Sequence, residues 1–398
     1  MNGNNRKEKI PVGWKWVKLG KICKFVGGTQ PPKYTFKTEE SPGHIRLIQI
    51  QDYRTDKYKI FIREEDSDRR CNVDDIMIAR YGGYGDTSSL FRILRGLKGA
   101  YNVALIKVVI ISTEILDREY LYFALQRGEI RKEIISKSAR AIQSGFTKED
   151  LENVEIPLPP LPEQKRIAAI LNEQMAAVDR ARAAADAQLE TAKALPSAYL
   201  REIFYGPEAK KWPRKRLKEG SIIIMGQSPP GTSYNLKGIG EPLLNGPTEF
   251  GQINPTPTQW TESPTKIAEQ GDILLCVRGA TTGRKNIADR RYCIGRGLAA
   301  IRGKEMQAIT EFLWFALDIV TASILEQTSG STFPNLPGGK LENIEIIFPS
   351  VAEQKKIADY LSAQIGKAEV AYKVFGSYLG AINKLPNAFL RKAFSGEI

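Results

Sequence analysis

LENVEIPLPPLPEQKRIAAIL, residues 151–171, returns as LENIEIIFPSVAEQKKIADYL, residues 341–361. The same offset, without a gap, pairs KALPSAYLREIFYG from Lys193 with NKLPNAFLRKAFSG from Asn383. Roughly 22 of about 56 positions agree, far more than shared helical composition gives. Weaker echoes precede each copy in the same order. Trp14-x4-Leu19 answers Trp212-x4-Leu217, and Gly28-x-x-Pro31-Pro32 answers Gly226-x-x-Pro229-Pro230. Asp75-Ile76-Met77 answers Asp272-Ile273-Leu274, and EYLYFAL from Glu119 answers EFLWFAL from Glu311. The chain therefore reads as a tandem duplication: globular domain, long helix, globular domain, long helix. The expected boundaries are 1–156 and 207–346 for the globular domains, 157–206 and 347–398 for the helical regions.

Each helix has a readable seam. Pro162 before Glu163 suits a helix start, since proline is tolerated in the first turn and a carboxylate there complements the dipole. Ile167, Leu171, Met175, Val178, Ala185, Leu189 and Ala192 then recur at three- and four-residue steps, with one full heptad between Val178 and Ala185. Ile357, Leu361, Ile365, Ala368, Tyr372, Phe375, Leu379 and Ile382 do the same in the second copy, which is coiled-coil spacing. The first helix is alanine-rich over Ala176–Ala187, whereas the second carries Tyr372, Phe375 and Tyr378. Small residues facing large ones let helices approach, so the expectation is an antiparallel coiled coil. Two helices each lying on its own domain is the alternative. Leu195-Pro196 and Leu385-Pro386 are expected to break or kink both helices at the same place.

The globular parts read as mixed α/β (α+β). His44–Ile50, Ile76–Ala79, Val103–Ile111, Ile273–Val277 and Leu298–Ile301 have strand character, with Gly/Pro-rich connectors between them. Glu119–Gln126 and Glu311–Asp318 read as helices.

Composition narrows the function. The net charge is +13 and the pI about 9.4, which favours a polyanionic partner. By segment the charge is about +7 over 1–156, about zero over 157–206, and about +3 in each of 207–346 and 347–398. Four scattered cysteines without a C-x-x-C pair suit reduced thiols and give no zinc framework. His44 is the only histidine, so histidine-based acid–base chemistry and metal ligation lose support. No apolar run is long enough to span a bilayer and Met1–Ile10 is polar, so a cytoplasmic protein without membrane contact is expected. There is no G-x4-G-K-[ST] loop, no Asn/Asp-Pro-Pro-Tyr/Phe tetrapeptide and no G-x-G-x-x-G after a strand. These absences argue against catalysis, metal and cofactors.

What remains are glycine-flanked polar loops after the Asp-Ile strands. Arg80, Tyr81, Tyr84 and Thr87 mark the first; Arg278, Thr281, Thr282, Arg284 and Lys285 mark the second. Glycine permits close approach to a duplex, arginine can donate twice to guanine, and lysine or threonine can hold phosphate. Lys33, Tyr34, Gln227, Ser228 and Arg296 are further candidates. Ordinary turns with solvated charges are the alternative.

The ordered motif set, present twice, resembles the conserved regions of type I restriction–modification DNA specificity subunits over nearly the whole chain. The second copy departs from the proline-rich form at Phe348-Pro349-Ser350-Val351-Ala352, which puts its local turn in doubt. The resemblance implies two target recognition domains, each reading half of a bipartite, asymmetric site in double-stranded DNA. It implies helices that act as spacer and docking surface for two methyltransferase subunits, with restriction/translocase subunits in the same complex. On that reading the partners use S-adenosylmethionine or ATP and this chain does no catalysis. A DNA-modifying enzyme with an unrecognised active site, or a non-specific nucleic-acid-binding scaffold, are the alternatives.

Overall fold

The computed structural model describes residues 10–80, 90–138, 146–327 and 335–398. The chain divides into two compact units, Met1–Ala185 with Tyr378–Ile398, and Asp186–Ser377.

In unit 1, strand β1 (Lys15–Lys18) runs through a single turn α1 (Leu19–Ile22) into β2 (Cys23–Gly27). Next come β3 (His44–Ile48), β4 (Phe61–Arg63), β5 (Arg70–Cys71), β6 (Ile76–Ala79), β7 (Ile93–Arg95), β8 (Gly99–Tyr101) and β9 (Leu105–Ile110). They form two four-stranded sheets, ordered β2-β9-β6-β7 and β4-β3-β8-β5. Only the β3–β8 pairing is parallel among these strands. Strand β6 explains its own sequence. Ile76 and Ile78 pack with the helices, whereas Met77 and Ala79 pack with residues of the second sheet such as Ile48 and Tyr101. A strand buried on both faces reads as a continuous apolar run. Helices α2 (Arg118–Leu125), α3 (Gly128–Ser138) and α4 (Lys148–Glu152) lead to β10 (Glu155–Leu158), which pairs antiparallel with β1. Helix α5 (Leu161–Tyr205) starts in unit 1 and ends in unit 2.

Unit 2 repeats the plan. Strand β11 (Arg214–Arg216), turn α6 (Leu217–Gly220) and β12 (Ser221–Met225) correspond to β1, α1 and β2. Strands β13 (Tyr234–Asn235), β14 (Glu241–Leu244), β15 (Gln259–Thr261), β16 (Ile267–Ala268), β17 (Ile273–Cys276), β18 (Lys285–Ile287), β19 (Tyr292–Ile294) and β20 (Leu298–Gly303) come after them. The sheets are β12-β20-β17-β18 and β13-β15-β14-β19-β16, with β14–β19 again parallel. Strand β17 splits its faces as β6 does, Ile273 and Leu275 to the helices, Leu274 and Cys276 to the other sheet. Helices α7 (Thr310–Gln327) and α8 (Gly338–Glu342), strand β21 (Glu345–Ile347) paired with β11, and α9 (Val351–Ile382) complete it. Helix α10 (Leu385–Ser395) belongs to unit 1.

A buried glutamine repeats its contacts in both units. Gln164 Oε1 accepts from the Asp117 amide at 2.8 Å, and Nε2 donates to the carbonyls of Ile115 and Pro159, both at 2.9 Å. Gln354 does the same with the Ile309 amide at 3.0 Å and the carbonyls of Gln307 and Pro349 at 2.8 and 2.9 Å. Each glutamine pins the start of a long helix to the segment that launches α2 or α7. Around it the two starts differ. Ser350 and Glu353 form a reciprocal cap, Glu353 N–H to Ser350 Oγ at 3.3 Å and Ser350 N–H to Glu353 Oε2 at 3.0 Å. Pro160 occupies the serine position in the first copy and cannot cap, and Glu163 pairs with Arg166 at 2.7 Å instead.

Within each unit the long helices run antiparallel. In unit 1, Arg166 reaches the Ile398 carbonyl at 2.7 Å and Arg182 reaches Asn383 Oδ1 at 2.8 Å. In unit 2 the rings of Tyr199 and Tyr360 stand 6.4 Å apart. Three sequence expectations need correction. Of the break or kink expected at both prolines, a break is found only in the second copy, between α9 and α10, while helix α5 continues through Pro196. Lys193-Ala194 before the first proline are strong helix formers, but Asn383 before the second favours a turn. Tyr372 and Tyr378 are exposed, not in the seam, while Phe375 and Leu379 are half-buried. The strand predicted over His44–Ile50 ends at Ile48, where a short 3-10 turn over Ile50–Tyr53 begins.

Candidate nucleic-acid interface

The echoed Gly-x-x-Pro-Pro segments leave β2 and β12 at a crowded crossing. A Cβ at Gly28 would lie 2.1 Å from the Asn102 carbonyl oxygen, and one at Gly226 would lie 2.2 Å from that of Gly295. Only glycine fits, so these echoes are structural. They also set the course of the chain beyond each crossing.

In unit 2 the Gln227 amide donates to the Ile294 carbonyl at 3.0 Å, and the Arg296 amide approaches Ser228 Oγ at 3.4 Å. Thr265 Oγ1 donates to the Gln227 carbonyl. The Val277 amide donates to the Gly297 carbonyl at 2.9 Å, which sets Arg278 beside Arg296. Gln227, Ser228, Arg278 and Arg296 thus gather at one end of the unit 2 sheets, and all but the half-buried Ser228 are exposed.

The turn between β17 and β18 divides its predicted contacts. Gly279 and Gly283 have φ of +82° and +94°, the left-handed conformation that favours glycine. Arg284 projects into solvent. Thr282 is buried, its Oγ1 donating to the Gly279 carbonyl at 2.8 Å, and Thr281 Oγ1 lies 3.4 Å from Cys276 Sγ. Lys285 also turns inward, which sequence reading did not foresee. Its side chain is 6% exposed, 2.6 Å from Asp318 Oδ1, and its ammonium sits 4.1 Å from the Trp314 ring centroid. Burial pushes its pKa below the usual lysine range, with Asp318 opposing. Lys285 and Thr282 hold the turn from within.

In unit 1 the Thr29 amide donates to the Tyr101 carbonyl at 3.2 Å, the place Gln227 takes in unit 2. Lys33 and Tyr34 ride on a single 3-10 turn after Pro31-Pro32, and Tyr34 is 90% exposed. Arg80 is half-buried, with Nε donating to the Phe146 carbonyl at 3.2 Å. Its amide donates to the Ala104 carbonyl as that of Val277 does to Gly297, so Arg80 corresponds to buried Val277. Tyr81, Tyr84 and Thr87 lie outside the described residues.

One cationic pair escaped sequence reading. Leu47 and Arg70 both pair with Ala100, as Leu243 and Ile267 both pair with Cys293. Arg69 and Lys266 therefore occupy one position, immediately before β5 and β16. Arg69 is half-buried beside Asp68 at 3.3 Å, and Lys266 is exposed. Only strand register relates them, since the flanking residues share no motif.

The cysteines are poorly placed as nucleophiles. All four cysteines are buried, and burial pushes the Cys23 thiol up to about 12 and the Cys71 thiol to about 11. Among the described residues no group of three or more His, Cys, Asp or Glu is placed to hold a metal ion. No described helix is long and apolar enough to cross a membrane.

Comparison with known proteins accords with this frame. The family model for the type I restriction modification DNA specificity domain matches residues 11–185 and 214–370. A Methanocaldococcus jannaschii protein named as the type I restriction enzyme MjaX specificity subunit is 34% identical over 288 residues, 69% of this chain and 68% of that one. The crystal structure of the HsdS subunit from Thermoanaerobacter tengcongensis matches with a TM-score of 0.68 and 27% identity, over 99% of both chains. A chain from a structure of complex assembly and conformational transition in a type I R-M system matches with a TM-score of 0.75 and 28% identity. That match covers 98% of this chain and 100% of that one.

Proposed function

The chain belongs to the type I restriction modification DNA specificity family, and on that premise we propose that it reads a bipartite, asymmetric site in double-stranded DNA. Residues 1–156 and 207–346 act as target recognition domains, each contacting one half-site. The helical regions 157–206 and 347–398 join them and dock two methyltransferase subunits, with restriction/translocase subunits in the same cytoplasmic complex. The chain supplies specificity and does no catalysis.

The observation that carries this reading is the pairing of matched crossings with different side chains beyond them. Gly28 and Gly226 force the same crossing, yet the chain then presents Thr29 in one unit and Gln227 with Arg296 in the other. Two matched frames with unmatched contacts suit two different half-sites. In unit 2 the readers are Gln227, Ser228, Arg278, Arg284 and Arg296, with Lys266 beside them. In unit 1 they are Lys33, Tyr34 and Arg69, with Tyr81, Tyr84 and Thr87, which follow β6 in the sequence. Arg80, Thr281, Thr282 and Lys285 shape these surfaces from behind.

The test is adenine-methylation mapping after co-expression of the cognate methyltransferase with and without this chain. A split motif seen only with the chain is expected. Methylation indifferent to the chain refutes the reading. Exchanging residues 1–156 for those of a relative should alter one half-site and leave the other.

A further inference from the structure

Strand register and helix repeat set four positions of unit 1 on four of unit 2. Arg95 stands opposite Ile76 as Ile287 stands opposite Ile273. Glu119 and Tyr122 align with Glu311 and Trp314 in the EYLYFAL/EFLWFAL echo, and Asn172 is one repeat from Ser362.

In unit 1 these side chains close on one another. Arg95 Nη1 donates to Glu119 Oε1 at 2.7 Å and Nη2 donates to Oε2, a bidentate pair. The guanidinium carbon lies 3.6 Å from the Tyr122 ring centroid, and Asn172 Nδ2 lies 3.4 Å from Glu119 Oε2. In unit 2 isoleucine replaces the arginine. Ile287, Glu311, Trp314 and Ser362 instead line a cavity of about 430 Å³, within the roughly 300–1,000 Å³ of ligand sites. Lys285 reaches the Trp314 ring from the same strand but is paired with Asp318, one helical turn along α7. Glu311 is exposed and has no hydrogen bond or ion pair among the described residues.

We propose that this cavity receives an arginine side chain from a partner protein, with Glu311 binding the guanidinium and Trp314 forming its wall. A carboxylate beside an aromatic surface suits a planar, weakly hydrated guanidinium better than a compact ammonium. The same carboxylate repels phosphate, and Gly271 and Ile287 lie at the opposite end of the β17–β18 hairpin from Arg278 and Arg284. Occupation therefore does not compete with DNA at that turn. Ile253 on the lining is 62% exposed, an apolar surface that a docked protein covers and a free cation leaves wet. Ser362 on the lining lies in the helical region 347–398, which the functional reading above gives to the methyltransferase subunit, so the partner is that subunit and the proposal rests on that reading.

The experiment has two arms. The full chain with isotope-labelled tryptophan is titrated with N-acetyl-arginine amide, following the indole resonance assigned through Trp314→Phe. A saturable shift is expected, at least about tenfold weaker with the neutral citrulline amide or in Glu311→Gln, and absent in Ile287→Arg. Ile287→Arg gives unit 2 the internal arginine of unit 1 and fills the cavity; Glu311→Gln, at an exposed position, keeps the test sound should that variant fold poorly. Equal shifts with citrulline, or shifts unchanged in Glu311→Gln, overturn the guanidinium site. In the second arm both variants are expected to lower the affinity of the methyltransferase for the chain about tenfold, with the methylated motif unaltered. Unchanged affinity overturns the partner arginine even where the titration succeeds. Failure of the functional reading is distinct, because methylation mapping would then find no motif dependent on the chain.

Discussion

Gln164 and Gln354 make the same three hydrogen bonds in the two units, down to the proline carbonyl five residues before each. Arg296, exposed in unit 2, stands where unit 1 has Val103, and Gln227 stands where it has Thr29. Positions that hold the frame kept their chemistry after duplication, because a buried amide or a crowded crossing tolerates one solution. Positions that face outward kept only their place. The Asp-Ile echo lies between these cases. Asp75 accepts from the Asn72 amide at 2.8 Å and Lys107 at 2.7 Å, and Asp272 accepts from the Glu269 amide at 2.9 Å and Arg302 at 2.8 Å. The aspartate persists while its cation comes from different strand positions.

The glycine crossing offers the strongest way to break this comparison. Gly28→Ala and Gly226→Ala each place a methyl group against backbone, which cannot rotate away. Each is expected to destabilise its own unit by on the order of 4 kcal/mol, the range of severe point mutants. Peptide-resolved hydrogen exchange over β2 and β9, or β12 and β20, measures the loss; a much milder effect in one unit would mean the frames are not equivalent there. Gln164→Ala and Gln354→Ala come next. Each leaves one amide and two carbonyls without their side-chain partner, at about 1–3 kcal/mol per group that stays dry. A loss on the order of 3 kcal/mol, equal in the two variants, is expected from urea denaturation.

The glutamines also show what was legible. The repeated Glu-Gln is plain in the sequence, but its role depends on the segment before α2 or α7 coming back to the helix start, which no local pattern states. Strands β6 and β17 were legible because both faces are buried, and α2 because its apolar spacing is helical. Helix α7 outran its predicted end at Asp318, since the apolar residues beyond it continue the same spacing. The long helices were legible by period, but their identical Leu-Pro pairs concealed that only the second breaks, a decision made by the residues just before. At the candidate interface, the turn after the second Asp-Ile strand was readable in its place. Side-chain direction was not: Arg278 and Lys285 look alike in sequence, and only the nearby Asp318 and Trp314 draw the lysine inward.

That distinction gives the next test. Arg296→Ala and Arg278→Ala are expected to cost about 1–3 kcal/mol of DNA affinity, confined to the half-site read by unit 2. Lys285→Met should leave affinity unchanged at fixed salt, because its ammonium does not reach solvent. A loss comparable to that of Arg296→Ala would restore Lys285 as a contact. Fluorescence anisotropy with each half-site scrambled in turn separates the units.

The smallest expected effect is the most direct test of the correspondence between Arg95 and Ile287. Burial raises the Glu119 carboxyl pKa, but hydrogen bonds and charge from Arg95 outweigh it and leave the pKa below the usual carboxylate value of 4.5. A carboxylate with a depressed folded pKa gives stability that is present above its unfolded pKa and lost as the pH falls through the folded one. Unit 1 should therefore lose this contribution on acidification below about pH 4.5, and Arg95→Met should flatten that dependence. Both partners are about one-third exposed, 35% and 36%, so the contribution should stay under about 1 kcal/mol. Ile287→Arg completes the comparison by supplying Glu311 with the cation that Glu119 already has. Hydrogen exchange over α7 should then acquire the acid sensitivity expected of α2 in the wild type. If α7 gains none while the substituted chain stays folded, the two helices do not present their glutamates to the same place, and the equivalence drawn from strand register fails at that point.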